Sequence, residues 1–214
     1  MPKRIDPSLI PPSPNLDFET AFWQADIQKV AGIDEAGRGA LAGPVAAAAV
    51  ILLPDPDVKQ KLSGVDDSKR MSPAQREKWR KRIQEEALAW GVGFASPREV
   101  DAYGIVPATR LAAQRALDKL SSSPEHLLLD YLLLPDNPVP QTWLVKGDAR
   151  SLSIAAASVL AKTVRDEHLR ELDKKYPGYG LAANKGYGTK AHFRAIQELG
   201  PSSIHRMTFA PMRG

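Results

Sequence analysis

The sequence predicts an α/β protein with five strands in a mixed sheet, and three observations carry that reading. Five short apolar runs suit strands: residues 30–34, 45–53, 90–95, 126–130 and 142–145. The first three follow one another in a way that suggests an antiparallel meander, whereas the last two read as parallel strands reached through crossover segments. Three runs lead into a carboxylate, namely Asp34, Asp130 and, just past the fifth run, Asp148. Parallel strands connected by crossovers set such ends along one edge of a sheet.

The elements follow in order. Residues 1–16 hold five prolines and no periodic pattern, so they read as a flexible or extended arm, leaving 17–214 as one domain. A short helix is expected within 17–28, offering Phe18, Phe22 and Trp23 as apolar contacts. Strand one ends at Asp34, and a glycine-rich turn leads to strand two, which stops at Pro54 and Pro56. The loop 64–70 precedes a helix with Ser72 as N-cap and Pro73 at its first position. That helix carries Arg76, Arg80 and Arg82 among glutamates and reads as a solvated, salt-bridged face. Lys69 and Arg70, in the loop before it, are better placed to meet phosphates. A helical region starts at Ser96-Pro97 and is expected to break at Pro107, before a core-packing helix over 108–120. After the fourth and fifth strands comes a long helix over 153–174, rich in small residues that permit close packing. Within it Asp166 reads as an ion-pair partner for Arg165 or Arg170.

The chemistry concentrates in residues 30–44, VAGIDEAGRGALAGP. A buried strand that runs into Asp34 and Glu35 is costly unless something neutralises them, and a divalent cation with carboxylate oxygens does so. Gly37 and Gly39 flank Arg38 and allow a ligand to approach the backbone closely. Together these features suit a phosphate held through a metal. An Asp-Glu pair before glycine also suits a plain solvated turn. The C-terminal stretch holds Tyr179 in YPGYG and Tyr187 in NKGYGTKAH. Tyrosines among lysines either stack on a sugar or base or simply pack, and composition leaves both readings open.

Composition narrows the class. The chain has 214 residues, 43% hydrophobic and 25% charged, which suits one soluble domain. It contains no cysteine, so any metal must be held by oxygen or imidazole. A net charge of +4 is compatible with a nucleic-acid partner. No apolar run is long enough to span a membrane, and no secretory signal is evident, so a cytoplasmic location is expected.

These stretches jointly resemble bacterial ribonuclease HII: VAGIDEAGRG, GVDDSKRMS, KGDARSLSIAAASVLAK, YPGYG, NKGYGTKAHF and IHRMTFAP, in that order from Val30 to Pro211. The resemblance implies a ribonuclease H-like fold, a five-stranded mixed sheet flanked by helices with a C-terminal helical segment. It implies an endonuclease that hydrolyses the RNA strand of RNA–DNA hybrids and nicks 5′ of a ribonucleotide in duplex DNA, leaving 3′-hydroxyl and 5′-phosphate ends. Asp34, Glu35, Asp130 and Asp148 match the positions that would hold two divalent ions, Mg²⁺ or Mn²⁺. Gly37, Arg38 and Gly39 would read the ribose 2′-hydroxyl, and Tyr179 would stack on the following deoxyribose. Lys69 and Lys146 are candidate substrate contacts. RNA–DNA hybrid and ribonucleotide-containing DNA are the implied partners, and a monomer is expected.

Four positions depart from the family's usual pattern. Asp66 stands where asparagine is common, Tyr131 where Gly or Ala follows the aspartate, Asn184 where histidine precedes KGYGT, and Met207 where a basic residue follows His-Arg. Three other readings compete. Ribonuclease HIII carries an added N-terminal domain, for which some thirty residues before strand one are too few. A non-catalytic hybrid-binding protein would not need all four carboxylates. A DNA resolvase of the same fold would not need a 2′-hydroxyl reader.

Overall fold

The structure, a computed structural model, describes residue 6 and residues 10–55 and 57–212. Five strands form one sheet in the order β3-β2-β1-β4-β5. Strands β1 (Val30–Ala36), β2 (Val45–Leu52) and β3 (Ala87–Ala95) pair antiparallel with one another in sequence order. Strands β4 (His126–Asp130) and β5 (Gln141–Leu144) add in parallel on the other side of β1. Helices α1 (Asp17–Gln24), α2 (Asp57–Lys61), α3 (Pro73–Glu86), α4 (Pro97–Tyr103) and α5 (Ile105–Leu117) precede or separate the strands. Helices α6 (Leu152–Lys175), α7 (Leu181–Asn184) and α8 (Lys190–Leu199) follow them.

Register sets the carboxylates. Asp34 lies within β1, two residues before its end, and pairs with Ala48. The parallel ladder with β4 stops one residue earlier, at Ile33–Leu129. So Asp34 is not the strand terminus expected: it stands where the sheet splits, still paired on one side and open on the other. Asp130 does end β4. Asp148 lies beyond β5 in a 3₁₀ turn, Gly147–Ala149, rather than at a strand end. That turn is entered through Lys146 in a left-handed conformation, φ +54°.

Strand β2 is buried along its whole length, with α6 packed over one face of the sheet and α5 over the other. Its four alanines, Ala46 to Ala49, let both helices come close. The closest approach is at Gly32 on β1, where a Cβ would overlap the backbone of Ser153 and Ile154 at the start of α6. Ser151 caps α6 by accepting the Ile154 N–H. Buried Glu19 on α1 then accepts from the Ser151 hydroxyl (2.6 Å), the Ser153 hydroxyl (2.6 Å) and the Ser153 N–H (2.9 Å). Burial raises the pKa of Glu19 against the opposing pull of these bonds. Sequence gave no sign of this role for Glu19, since its partners lie more than 130 positions away.

Several local expectations are met and others change. Ser72 caps α3 in a full capping box with Gln75. Pro107 does not break a helix: it sits in the first turn of α5, where its missing N–H has no intrahelical role, and Gly104 at φ +84° makes the break. On α3, Arg80 and Arg82 pair with glutamates at the surface, but Arg76 is buried and donates to the Ser68 and Met71 carbonyls. Asp166 is structural, as expected, but its partners are Arg76 (3.4 Å) and Lys162 (2.7 Å). Of the expected arm, residues 1–5 and 7–9 lie outside the described residues. Its last residues are tied down, with Leu16 buried and Asn15 bridged to Ser151.

Gly32→Ala should force α6 away from the sheet. We expect a loss of about 1–3 kcal/mol or more in thermal or denaturant unfolding, the range for inserting a methyl group into a packed interior.

Candidate active site

Asp34, Glu35, Asp130 and Asp148 come together at the split between β1 and β4. Asp34 is 5% exposed and so is Asp148, which makes this an acidic group largely withdrawn from water. Burial raises the Asp34 pKa well above its usual value, and Glu35, Asp130 and Asp148 push it further against a hydrogen bond from Ser158. Burial also raises Asp130, to about 6, with Asp148 the next cause. Glu35 is raised by burial too, although Arg38 opposes the shift.

Each carboxylate has a partner of its own. Arg38 donates to Glu35 at 3.0 Å, the Gly147 N–H donates to Asp130 at 2.8 Å, and Lys69 reaches Asp148 at 3.3 Å. Ser158, on α6, also meets Ser68 at 2.9 Å and so links helix and loop beside Asp34. Burial works against the charge of Lys69, but Asp148, Asp34 and Asp67 together raise its pKa. As the side chains stand, no set of three or more His, Asp or Glu groups among the described residues is arranged to hold a metal ion. The donor chemistry nevertheless fits one. Four mutually repelling carboxylates, Asp34 and Asp148 buried and Glu35 and Asp130 partly so, with no thiol or imidazole among them, form an all-oxygen set suited to a hard divalent cation.

A cleft of about 520 Å³ opens beside the carboxylates, lined by Asp130, Asp148, Lys69, Arg70, Tyr131 and Lys146 among others. Lys69 and Lys146 are exposed on it. Asp66 adds little free charge here, because it accepts from the Asp67 N–H (2.8 Å) and pairs with Arg70 (3.4 Å).

The loop after β1 is built on backbone contacts. Gly37 has φ +89°, and a Cβ on it would overlap the Arg165 guanidinium that passes beneath. Arg165 and Arg206 are both fully buried, and no carboxylate lies within ion-pair distance of either among the described residues. They donate instead to main-chain carbonyls. Arg165 bonds Pro44 (2.8 Å), Lys185 (2.9 Å) and Ala42 (3.2 Å). Arg206 bonds Arg38 (2.8 Å) and Gly43 (3.0 and 3.1 Å). Burial, then the neighbouring Arg165 charge, pushes the Arg206 pKa down to about 9. Gly39 is exposed, and a Cβ on it would meet no atom within 4 Å, so its backbone faces open space.

The two C-terminal tyrosines separate by burial. Tyr179 is 8% exposed, its hydroxyl donates to the Gly200 carbonyl at 2.7 Å, and its ring packs against His205 at 4.8 Å. Its expected stacking face is therefore taken up by packing inside the C-terminal cluster. Tyr187 is the exposed one, 37%, and its ring lies over Lys162 and Arg165. The Gly186 carbonyl next to it accepts from Leu41 (2.7 Å) and Ala42 (3.2 Å), which joins this loop to the one carrying Arg38. Asn184 accepts from the Gly186 N–H at 2.7 Å and donates to the Tyr179 carbonyl at 2.7 Å, holding the turn between the two tyrosines. Met207 is exposed, and its N–H is fixed by Asp101.

Both the family and the fold are then matched by known proteins. The Ribonuclease HII family model matches residues 31–212. A ribonuclease HII of Synechococcus sp. (strain JA-3-3Ab) is 53% identical over 200 residues, 94% of this chain and 90% of its own. The chain belongs to the ribonuclease HII family. A ribonuclease HII of Geobacillus thermodenitrificans is 51% identical over 196 residues, covering 92% of this chain and 74% of its own. The crystal structure of ribonuclease H2 from Pyrococcus horikoshii superposes with a TM-score of 0.72 at 26% identity, over 86% of this chain and 95% of that one. The five-stranded mixed sheet with flanking and C-terminal helices is thus the ribonuclease H-like fold expected from the sequence. Among the described residues no helix is long and apolar enough to cross a membrane.

The loop of Tyr187 is positioned by two buried histidines whose tautomers are fixed by their outer partners. The Ser202 N–H donates to His205 Nδ1 (3.0 Å), so neutral His205 carries its proton on Nε2. His192 Nδ1 donates to the Tyr187 carbonyl (3.0 Å), which leaves its Nε2 to accept from His205 at 3.2 Å. Protonating either ring sets N–H against N–H. Burial, then His192, pushes the His205 pKa down from 6.5 to about 4. A lowered folded-state pKa stabilises the fold above 6.5 and withdraws that stability as pH falls through 4. We expect His205→Gln to flatten this part of the melting-temperature profile relative to the unsubstituted chain.

Proposed function

We propose that this ribonuclease HII family member is an endonuclease. It cuts the RNA strand of RNA–DNA hybrids and nicks duplex DNA 5′ of an embedded ribonucleotide, leaving 3′-hydroxyl and 5′-phosphate ends. One juxtaposition carries this reading: four clustered carboxylates, two of them buried, stand beside a glycine-flanked loop whose Gly39 backbone opens to solvent. Asp34, Glu35, Asp130 and Asp148 would hold two divalent ions, Mg²⁺ or Mn²⁺. When bound, such ions supply an activated water and stabilise the leaving oxygen.

The chain's own residues divide the remaining work. Lys69 and Lys146, with Arg70, line the cleft and attract the phosphate backbone. Lys69 also lowers the repulsion among the carboxylates from its place beside Asp148. The backbone of Gly37 to Gly39 reads the 2′-hydroxyl, the group that distinguishes a ribonucleotide from its DNA neighbours. Arg38 keeps Glu35 oriented through their 3.0 Å pair. For the aromatic contact with the sugar beyond the ribonucleotide we assign Tyr187, because it is exposed and its neighbour Gly186 is bonded to the same loop system, whereas Tyr179 is packed away.

The test uses a DNA duplex with one ribonucleotide, an all-DNA control, and Mg²⁺ or Mn²⁺. The unsubstituted chain should nick only the first, on the 5′ side of the ribonucleotide, and Asp34→Ala should lose at least about a thousandfold in rate. Cutting of the all-DNA duplex would remove the 2′-hydroxyl role from residues 37–39. Tyr187→Ala should raise KM roughly tenfold, the scale of one lost stacking contact. Tyr179→Phe should leave kinetics unchanged and cost about 1 kcal/mol of stability, since it removes one hydrogen bond.

A further inference from the structure

Tyr131 directly follows Asp130 and lines the same cleft. Its φ is +64°, a backbone conformation that favours glycine. The backbone is held there because its N–H donates to the Leu129 and Leu144 carbonyls, each at 3.1 Å. The ring meets Trp143 edge to face, with centroids 6.0 Å apart and planes at 89°. Trp143 stands on β5, the edge strand, opposite Leu129 in register. Both rings are half exposed, Tyr131 at 49% and Trp143 at 48%.

Two large aromatic side chains left open side by side, Tyr131 on the cleft and Trp143 against it, make an exposed apolar patch of the kind that marks a contact surface. Charge narrows the choice of what contacts it. Lys146 is exposed on the same rim, two residues beyond Leu144, the β5 residue whose carbonyl Tyr131 bonds. Open aromatic rings with a lysine alongside suit one strand of a duplex, whose bases are already stacked: a ring packs on the sugar face and the cation holds the phosphate. Tyr131 also lies on the side of the carboxylates formed by β4 and β5, whereas Tyr187 follows Gly186, whose carbonyl is bonded to the loop that follows β1.

We propose that Tyr131 and Trp143 form a second stacking platform, which takes a nucleotide of the substrate strand a short distance from the cut, with Lys146 on the adjoining phosphate. The proposal rests on the reading of the cleft as a nucleic-acid site. It adds to that reading a footprint on the β5 side, so that part of the affinity depends on how far the duplex extends in one direction.

The experiment measures kcat and KM on single-ribonucleotide duplexes trimmed stepwise from either end. It compares the unsubstituted chain with Tyr131→Gly, which suits the left-handed backbone, and Trp143→Ala on the sheet edge. On long duplexes both variants should raise KM roughly tenfold and change kcat by no more than about twofold. The difference should vanish once the duplex is trimmed from one particular end. Tryptophan emission, taken as the difference between the unsubstituted chain and Trp143→Phe, should be quenched when duplex binds in metal-free buffer.

Equal KM for all three proteins at every length, or a defect independent of length, would overturn the platform. So would a lower melting temperature as the only effect, since it would make the pair a cover for the sheet edge. A dimer dispersed by Trp143→Ala with KM unchanged would assign the patch to self-association and also overturn it. If the unsubstituted chain cuts and these variants match it, the platform fails while the active-site reading stands. If nothing cuts, that reading fails, and the quenching measurement alone decides the platform.

Discussion

The close approach of α6 to the centre of the sheet is the constraint on which the site depends. It is possible because β1 has Gly32 where any side chain would strike the first turn of the helix, and because β2 offers alanines. Once α6 lies there, its side chains arrive beside the carboxylates without further adjustment. Ser158 reaches Asp34, and two turns on, Arg165 passes under Gly37 to bond Pro44 and Ala42. Glu19 fastens the other end of the arrangement, binding the cap of α6 just past the turn that carries Asp148. One helix therefore sets the acidic group and the glycine loop relative to each other.

The electrostatics follow from that packing. Crowding four carboxylates together, two buried and two partly so, is unfavourable, and the upward shifts at Asp34, Glu35 and Asp130 express it. Lys69 offsets part of the cost from the far side of the cleft, on a loop tied to α6 through Ser68 and Ser158. The group is thus held in a state of excess negative charge by a fold whose stability comes from elsewhere, chiefly the buried faces above and below β2. Such a site favours whatever brings positive charge into it.

The sequence revealed what depends on short-range order and missed what depends on distant partners. The five strands, the Ser72 cap and the long helix were legible because apolar period and capping residues are local signals. Asp34, Glu35 and Asp130 were legible because a strand running into an acid is itself unusual. Gly104 and Pro107 were harder to tell apart, since both interrupt helices and only the position of the first turn decides between them. Tyr179 and Tyr187 sit in similar glycine-rich settings eight residues apart, and what separates them is burial against His205 and Gly200. Glu19 carried no signal at all, and nothing local gave Arg165 or Arg206 the partners they have. Their partners are serines and main-chain carbonyls far along the chain, and a carbonyl has no letter in a sequence.

The Arg206 contact has an electronic side as well as a mechanical one. The carbonyl of Arg38 and the N–H of Gly39 belong to one peptide unit, and a buried guanidinium donates to that carbonyl at 2.8 Å. A cationic donor on the oxygen draws electron density through the amide resonance and leaves the N–H at its other end more acidic and a stronger donor. The exposed amide of Gly39 is thereby sharpened from behind, by a charge that never reaches the surface.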